Sequence, residues 1–296
     1  MPKLPIWGLI CLGAAITAPP AGAQYNALDL HLEHQLWTRL QDHQNELRSG
    51  GAKSSEPERA VVAPDDVGLD ALATLIDLPE VLAYVVHRSA ELGAGLPTLP
   101  ADRATRWAEA VRQTYDPEKM IPVALDVLRQ HMDSTTISET IAFLQSPAGE
   151  KLRQAERAFR TRHLMPYDLL AEREKALAEA YPHRHGLYFD LGGAIHSDPD
   201  FSDMEMLLRA LLAPSLGEAV TDGYVASASE AFRAALPESR TIYAIELLPN
   251  LPESDLAAIL EFFRTPAGQA FARAKSGLSA AVIEAEIDML TARMAD

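Results

Sequence analysis

The chain has 296 residues, and its 42 acidic against 26 basic side chains give a formal net charge of −16 at pH 7. This acidity argues against nucleic acid and anionic lipid as partners. The single cysteine, Cys11, excludes an intramolecular disulfide, and an aromatic content of 6% argues against a sugar-stacking or nucleic-acid platform.

The first 23 residues have the pattern of a secretory signal peptide. Lys3 supplies a basic start, residues 6–17 are apolar, and Ala21-Gly22-Ala23 is a typical cleavage site. The apolar run is shorter than the roughly 20 residues that a membrane-spanning helix needs. We therefore expect cleavage after Ala23 and a periplasmic or secreted protein, without stable membrane insertion once the signal is removed. The mature chain loses only the charge of Lys3 and carries −16 − 1 = −17.

Residues 24–64 are predicted to form an N-terminal amphipathic helix followed by a flexible linker. Leucines recur at every fourth position from Leu28 to Leu40, so they form one apolar stripe on a helix. Glycine, serine and proline are frequent from residue 49 to residue 64, a composition that is typical of linkers.

A 24-residue motif occurs twice in the remaining chain. Residues 136–159 read TISETIAFLQSPAGEKLRQAERAF, and residues 255–278 read DLAAILEFFRTPAGQAFARAKSGL. Their Ser/Thr-Pro-Ala-Gly segments begin at Ser146 and Thr265, which are 265 − 146 = 119 residues apart. This spacing predicts a tandem duplication.

Apolar residues recur with helical spacing along the chain and strand-like alternation is missing, which predicts an all-α fold. We expect a first helical repeat at 65–180, a histidine-containing linker at 181–200 and a second helical repeat at 201–296. Pro214 and Pro237 each predict the start of a further helix in the second repeat.

Each motif predicts a sharp corner between two helices. Ser146 and Thr265 are suitable N-caps, because their hydroxyls can accept a hydrogen bond from a free backbone N–H. The proline after each cap suits the first turn of the next helix, where a missing N–H costs nothing. The glycine three residues after each cap costs about 1 kcal/mol relative to alanine, so close helix packing is the expected reason for it. The pattern indicates that these residues end one helix and pack the next against it, and that they have no chemical role.

The motif resembles the bacterial family known as domain of unknown function 2059 (DUF2059). The family pattern ends an all-helical unit with a phenylalanine, a Ser/Thr-Pro-x-Gly segment and a lysine. The first copy keeps Phe143, Ser146, Pro147, Gly149 and Lys151. The second copy keeps the pattern except at Ala270, which replaces the lysine. The resemblance implies an exported all-α domain, and it implies no catalytic residue.

The predicted linker contains the most site-like cluster of the chain. It reads YPHRHGLYFDLGGAIHSDPD and holds three histidines, His183, His185 and His196. Imidazoles with neighbouring carboxylates could hold zinc or another divalent ion. The spacing matches no specific metal motif, so a pH-responsive hinge and an ordinary polar linker are open alternatives.

The sequence predicts no catalytic residue and no cofactor site. Segments typical of nucleophile elbows, phosphate-binding loops and dinucleotide-binding loops do not occur in it. We expect a non-catalytic binding or interaction module of the bacterial cell envelope, with a protein, a peptide or an envelope component as partner. The alternative is a metal-dependent, hydrolase-like enzyme that uses His183, His185 and His196.

Overall fold

The computed structural model describes residues 66–95, 99–161, 167–195 and 202–295. Over these ranges it forms thirteen helices and no β-strand, which confirms the all-α prediction. The helices are α1 (Asp66–Leu75), α2 (Leu78–Gly95), α3 (Ala101–Thr114), α4 (Pro117–His131), α5 (Ser134–Leu144), α6 (Pro147–Thr161), α7 (Tyr167–Ala180), α8 (Pro182–Ile195), α9 (Ser202–Leu216), α10 (Glu218–Leu247), α11 (Glu253–Arg264), α12 (Pro266–Glu284) and α13 (Ile287–Ala295). The predicted signal peptide, N-terminal helix and linker lie outside the described residues. None of the described helices is long and apolar enough to cross a membrane.

One hydrophobic core runs through the described helices, and α12 lies at its centre. This helix packs against α4 and α5 from the first half of the chain and against α9 and α11 from the second half. Its buried residues are mostly small or apolar: Ala267, Ala270, Phe271, Ala274 and Leu278. The two predicted repeats therefore contribute to a shared core instead of building one each.

Both motifs form the helix corners that their sequences predict. The Ser146 Oγ accepts a hydrogen bond from the Gly149 N–H at 3.2 Å, and the Thr265 Oγ1 accepts one from the Gly268 N–H at 3.0 Å. In each case the proline after the cap is the first residue of the next helix. The cap hydroxyl satisfies one of the N–H groups that a helix start leaves without an intrahelical partner.

The glycine of each corner allows the two helices to approach closely. A Cβ atom added to Gly149 would lie 2.0 Å from the Phe143 carbonyl oxygen, and one added to Gly268 would lie 2.1 Å from the Phe262 carbonyl oxygen. No side chain fits at these separations. The expected packing role of the two glycines is confirmed by this geometry.

The two corners differ in burial, and the difference explains the residue that replaces the family lysine. Lys151 lies on the exposed side of α6, where 44% of its side chain is accessible. The corresponding Ala270 on α12 is buried in the core. A lysine there would place a charge among apolar helices, which is unfavourable without a partner.

The predicted helix starts at Pro214 and Pro237 are wrong. Pro214 lies inside α9, and α10 runs unbroken from Glu218 to Leu247 through position 237. Leu211 and Leu212 before Pro214 and Ile242 after position 237 are buried. Tertiary packing of this kind can outweigh the helix-breaking tendency of a proline.

Candidate functional site

The segment predicted as a linker at 181–200 contains a packed helix, so that prediction is wrong for residues 182–195. Three apolar residues with helical spacing turn inward and are buried: Tyr188, Leu191 and Ile195. Gly192 lets α8 lie directly against α10, because an added Cβ would come within 2.5 Å of a backbone carbonyl oxygen of that helix. The many glycines and polar residues of the segment conceal this buried stripe.

The histidines of this segment are not brought together. His183 Nδ1 lies 3.3 Å from Glu253 Oε2 on α11, whereas His185 Nε2 contacts Glu174 Oε1 on α7. Residues two apart in a helix point to different sides, so these two imidazoles face different neighbours. His196 lies outside the described residues. Within the part of the chain that the structure describes, no three His, Cys, Asp or Glu side chains are placed to share a metal ion.

Polar contacts hold α8 firmly to the connection between α10 and α11. The Arg184 guanidinium donates to the Leu251 carbonyl oxygen at 2.7 Å and to the Tyr188 hydroxyl at 3.1 Å. That hydroxyl donates in turn to the Leu248 carbonyl oxygen at 2.8 Å. The position of α8 is therefore set by hydrogen bonds as well as by its buried stripe.

The outward side of α8 carries exposed aromatic rings. Tyr181, just before the helix, is 64% exposed, and Phe189 is 54% exposed. Gly186 and Gly193 lie on either side of Phe189, and a Cβ added to either would meet nothing within 4 Å. We call these four residues the α8 outer face. Exposed aromatic rings are candidate contacts for a partner, because such rings carry much of the binding energy of many protein interfaces.

A second group of polar residues lies between α2, α6 and α10. It comprises Tyr84, Arg88, Arg160, Tyr243 and Glu246, and the Glu246 side chain is almost completely buried. The Arg88 guanidinium lies 5.9 Å from the centre of the Tyr84 ring. Burial raises the pKa of Tyr84 and of Tyr243 above the ordinary range of tyrosine. Both phenols therefore stay protonated at neutral pH and are not available as bases.

Comparison with known families finds a match for the segment that contains the first corner. Residues 118–164, which run from the start of α4 to just beyond α6, match the model of the family described as "Uncharacterized protein conserved in bacteria (DUF2059)". This segment is therefore similar to DUF2059. No curated protein and no solved structure matches the chain. The DUF2059 match includes the first Ser-Pro-Ala-Gly corner and ends before the second, so the duplication stays a prediction.

The α8 outer face lies outside the DUF2059 segment, and the interior polar group, the five residues between α2, α6 and α10, overlaps the segment at one residue. Of the residues named in them, Arg160 alone falls within 118–164. The interior group joins side chains that are far apart in the chain, and no short motif could have indicated it. For the α8 outer face, the only available signal in the sequence is the helical spacing of Tyr188, Leu191 and Ile195, which places Phe189 on another side of the helix.

Proposed function

We propose that this protein is a non-catalytic binding module exported to the bacterial cell envelope, and that it holds a protein partner on the α8 outer face. The exposure of Tyr181 and Phe189 on a firmly held helix supports this proposal. Aromatic rings bury a large area while losing few rotatable bonds, and they often dominate the binding energy of protein interfaces. A rigid helix also lowers the conformational entropy that binding costs.

The charge of the chain favours a basic partner. The net charge of the mature chain, −16 − 1 = −17 without Lys3, creates a negative potential that attracts cationic segments and repels acidic ones. The partner that fits best is therefore a protein or peptide segment with apolar anchors and flanking lysine or arginine residues. Such a segment would place its apolar side chains beside Phe189, over the open space at Gly186 and Gly193.

The surroundings of the histidines support binding over the alternative of a metal-dependent enzyme. His183 and His185 each face one carboxylate, and the two carboxylates come from different helices. A zinc site needs three or four ligands around one point. Among the described residues, neither histidine–carboxylate contact provides such a convergence.

Position-specific photo-crosslinking in cells tests the proposed binding surface. A photoreactive phenylalanine analogue at Phe189 should give a covalent adduct with a basic protein, and the yield should fall as salt is raised. The same analogue at Met289, an exposed apolar residue of α13, is the matched control. Tyr181→Ser should reduce the adduct at position 189. Equal adducts at 189 and 289, or none at 189, would contradict the proposal.

Export is tested separately by the mass and location of the mature chain. The full-length chain, expressed in a bacterium with two membranes, should appear outside the cytoplasm without its first 23 residues and should begin at Gln24. A cytoplasmic chain that retains Lys3 would refute the export prediction. That result would leave the binding surface on α8 open to the crosslinking test.

A further inference from the structure

Residues that occupy the same position in the two motifs touch each other across the molecule. Phe143 and Phe262, which are 262 − 143 = 119 residues apart, stack with ring centroids at 3.8 Å and an angle of 4° between their planes. Glu156 and Lys275, which are 275 − 156 = 119 residues apart, form an ion pair between Oε1 and Nζ. Two independent pairs of equivalent positions are thus in direct contact.

The helix contacts follow the same exchange. In the first motif the corner joins α5 to α6, and in the second it joins α11 to α12. Helix α5 packs against α12, and α6 packs against α11. Exchanging the two motifs converts each of these contacts into the other. Reciprocal contacts of this kind define a twofold relation, and residues that touch their own counterparts mark its axis.

We propose that the two corners are two copies of one surface and pack against each other about a local twofold axis. We also propose that the charges of Glu156 and Lys275 favour this pairing within one chain over a pairing of identical corners from two chains. A residue on such an axis faces its own counterpart. If the first corners of two chains paired, Glu156 would face another Glu156, and two second corners would oppose their Lys275 side chains. Like charges at such a position are unfavourable, so only the first–second pairing is attractive.

A second ion pair reinforces the same choice. Lys151 Nζ lies 2.6 Å from Asp255 Oδ2 across the seam between the corners. Their counterparts are Ala270 (151 + 119 = 270) and Thr136 (255 − 119 = 136), neither of which carries a charge. A pairing of two first corners would place Lys151 beside Thr136, and a pairing of two second corners would leave Asp255 beside Ala270. Each alternative loses this ion pair.

Distances between spin labels on the intact chain test the axis. A twofold relation requires the distance between labels at Glu139 and Arg273 to equal the distance between labels at Gln154 and Ala258. These four positions are exposed, and 139 + 119 = 258 and 154 + 119 = 273 make them two equivalent pairs. The labels are attached to introduced cysteines in a Cys11→Ser background, because the chain has no other cysteine. Two mean distances that differ by more than the widths of their distributions would overturn the axis.

Label pairs within each corner provide the control. The distance from Glu139 to Gln154 reports the shape of the first corner, and the distance from Ala258 to Arg273 reports the shape of the second. These two should agree whether or not an axis relates the corners. Agreement within the corners but not across them would show two similar corners that are packed without symmetry, and it would overturn the proposal.

Charge exchange tests the selecting role of the axial ion pair. Glu156→Lys and Lys275→Glu should each lower the melting temperature by several degrees, because each opposes like charges at a partly buried position. The double variant restores opposite charges and should recover at least half of the summed loss. Asp222→Arg, which breaks the exposed ion pair with Arg209, should change the melting temperature little. A double variant as unstable as the sum of its single changes would overturn the charge selection.

Discussion

An alanine in place of either corner glycine should destabilise the protein, although alanine is the better helix former. The Cβ of Gly149→Ala or Gly268→Ala would lie 2.0 or 2.1 Å from a backbone carbonyl oxygen of the preceding helix. Relief requires the backbone of one helix to move, and overpacking of this kind costs typically 1–3 kcal/mol. The gain in helix propensity offsets about 1 kcal/mol of the cost. The clash is with backbone atoms and not with a flexible side chain, so the cost lies near the upper end of that range. We expect a net loss of about 2 kcal/mol, which corresponds to roughly 4–8 °C in melting temperature for a domain of this size.

The chain supplies a matched control on α8. Gly186 is helical and exposed, and a Cβ added to it would meet nothing within 4 Å. Gly186→Ala should therefore stabilise the protein by up to about 1 kcal/mol through helix propensity alone. Urea unfolding followed by circular dichroism measures the three variants. If Gly149→Ala and Gly268→Ala are as stable as Gly186→Ala, the corners do not need their glycines for close approach.

Three further predictions follow from single contacts. Thr265→Ala should cost about 1 kcal/mol in urea unfolding, because the second corner loses its cap hydrogen bond. Tyr115→Phe should cost about 1–2 kcal/mol, because the Tyr115 hydroxyl donates at 2.8 Å to the Ile283 carbonyl oxygen in the last turn of α12. Arg157 donates a hydrogen bond to Asp77 and lowers the pKa of that carboxyl below its ordinary value. The stabilisation is therefore present at neutral pH and is lost as the pH falls through the folded-state pKa. Asp77→Asn, which keeps a side chain suited to the left-handed backbone at φ 54, should cost about 1 kcal/mol at pH 7 and flatten the loss of stability in acid. Equal acid profiles for Asp77→Asn and the unmodified chain would refute the last of these.

The sequence predicts well those features that depend on neighbouring residues. The caps at Ser146 and Thr265, the helix starts at Pro147 and Pro266 and the all-α fold are confirmed. A cap, a proline and a glycine act within one helical turn, so their effect is present in a short stretch of sequence. The same local signals mislead at Pro214, where the shared core holds a continuous helix.

The candidate site is predicted less well, because its residues acquire their role from distant partners. The glycines and histidines of residues 181–200 indicate a linker, yet Tyr188 and Leu191 are buried and make the segment a helix. The side of that helix that remains exposed follows from where α10 and α11 lie. Likewise, the interior position of Glu246 depends on three helices whose sequences share no motif.

By itself, the sequence determines the corner, because a capping hydroxyl, a proline and a glycine within four residues end one helix and start another. It also shows that the corner occurs twice. Only the tertiary structure decides that the two corners face each other, and that position 270 on α12 is buried while position 151 on α6 is exposed. This difference is why alanine at 270 stands where the first copy has Lys151. The physical reason is that burial and charge pairing depend on contacts between residues more than one hundred positions apart.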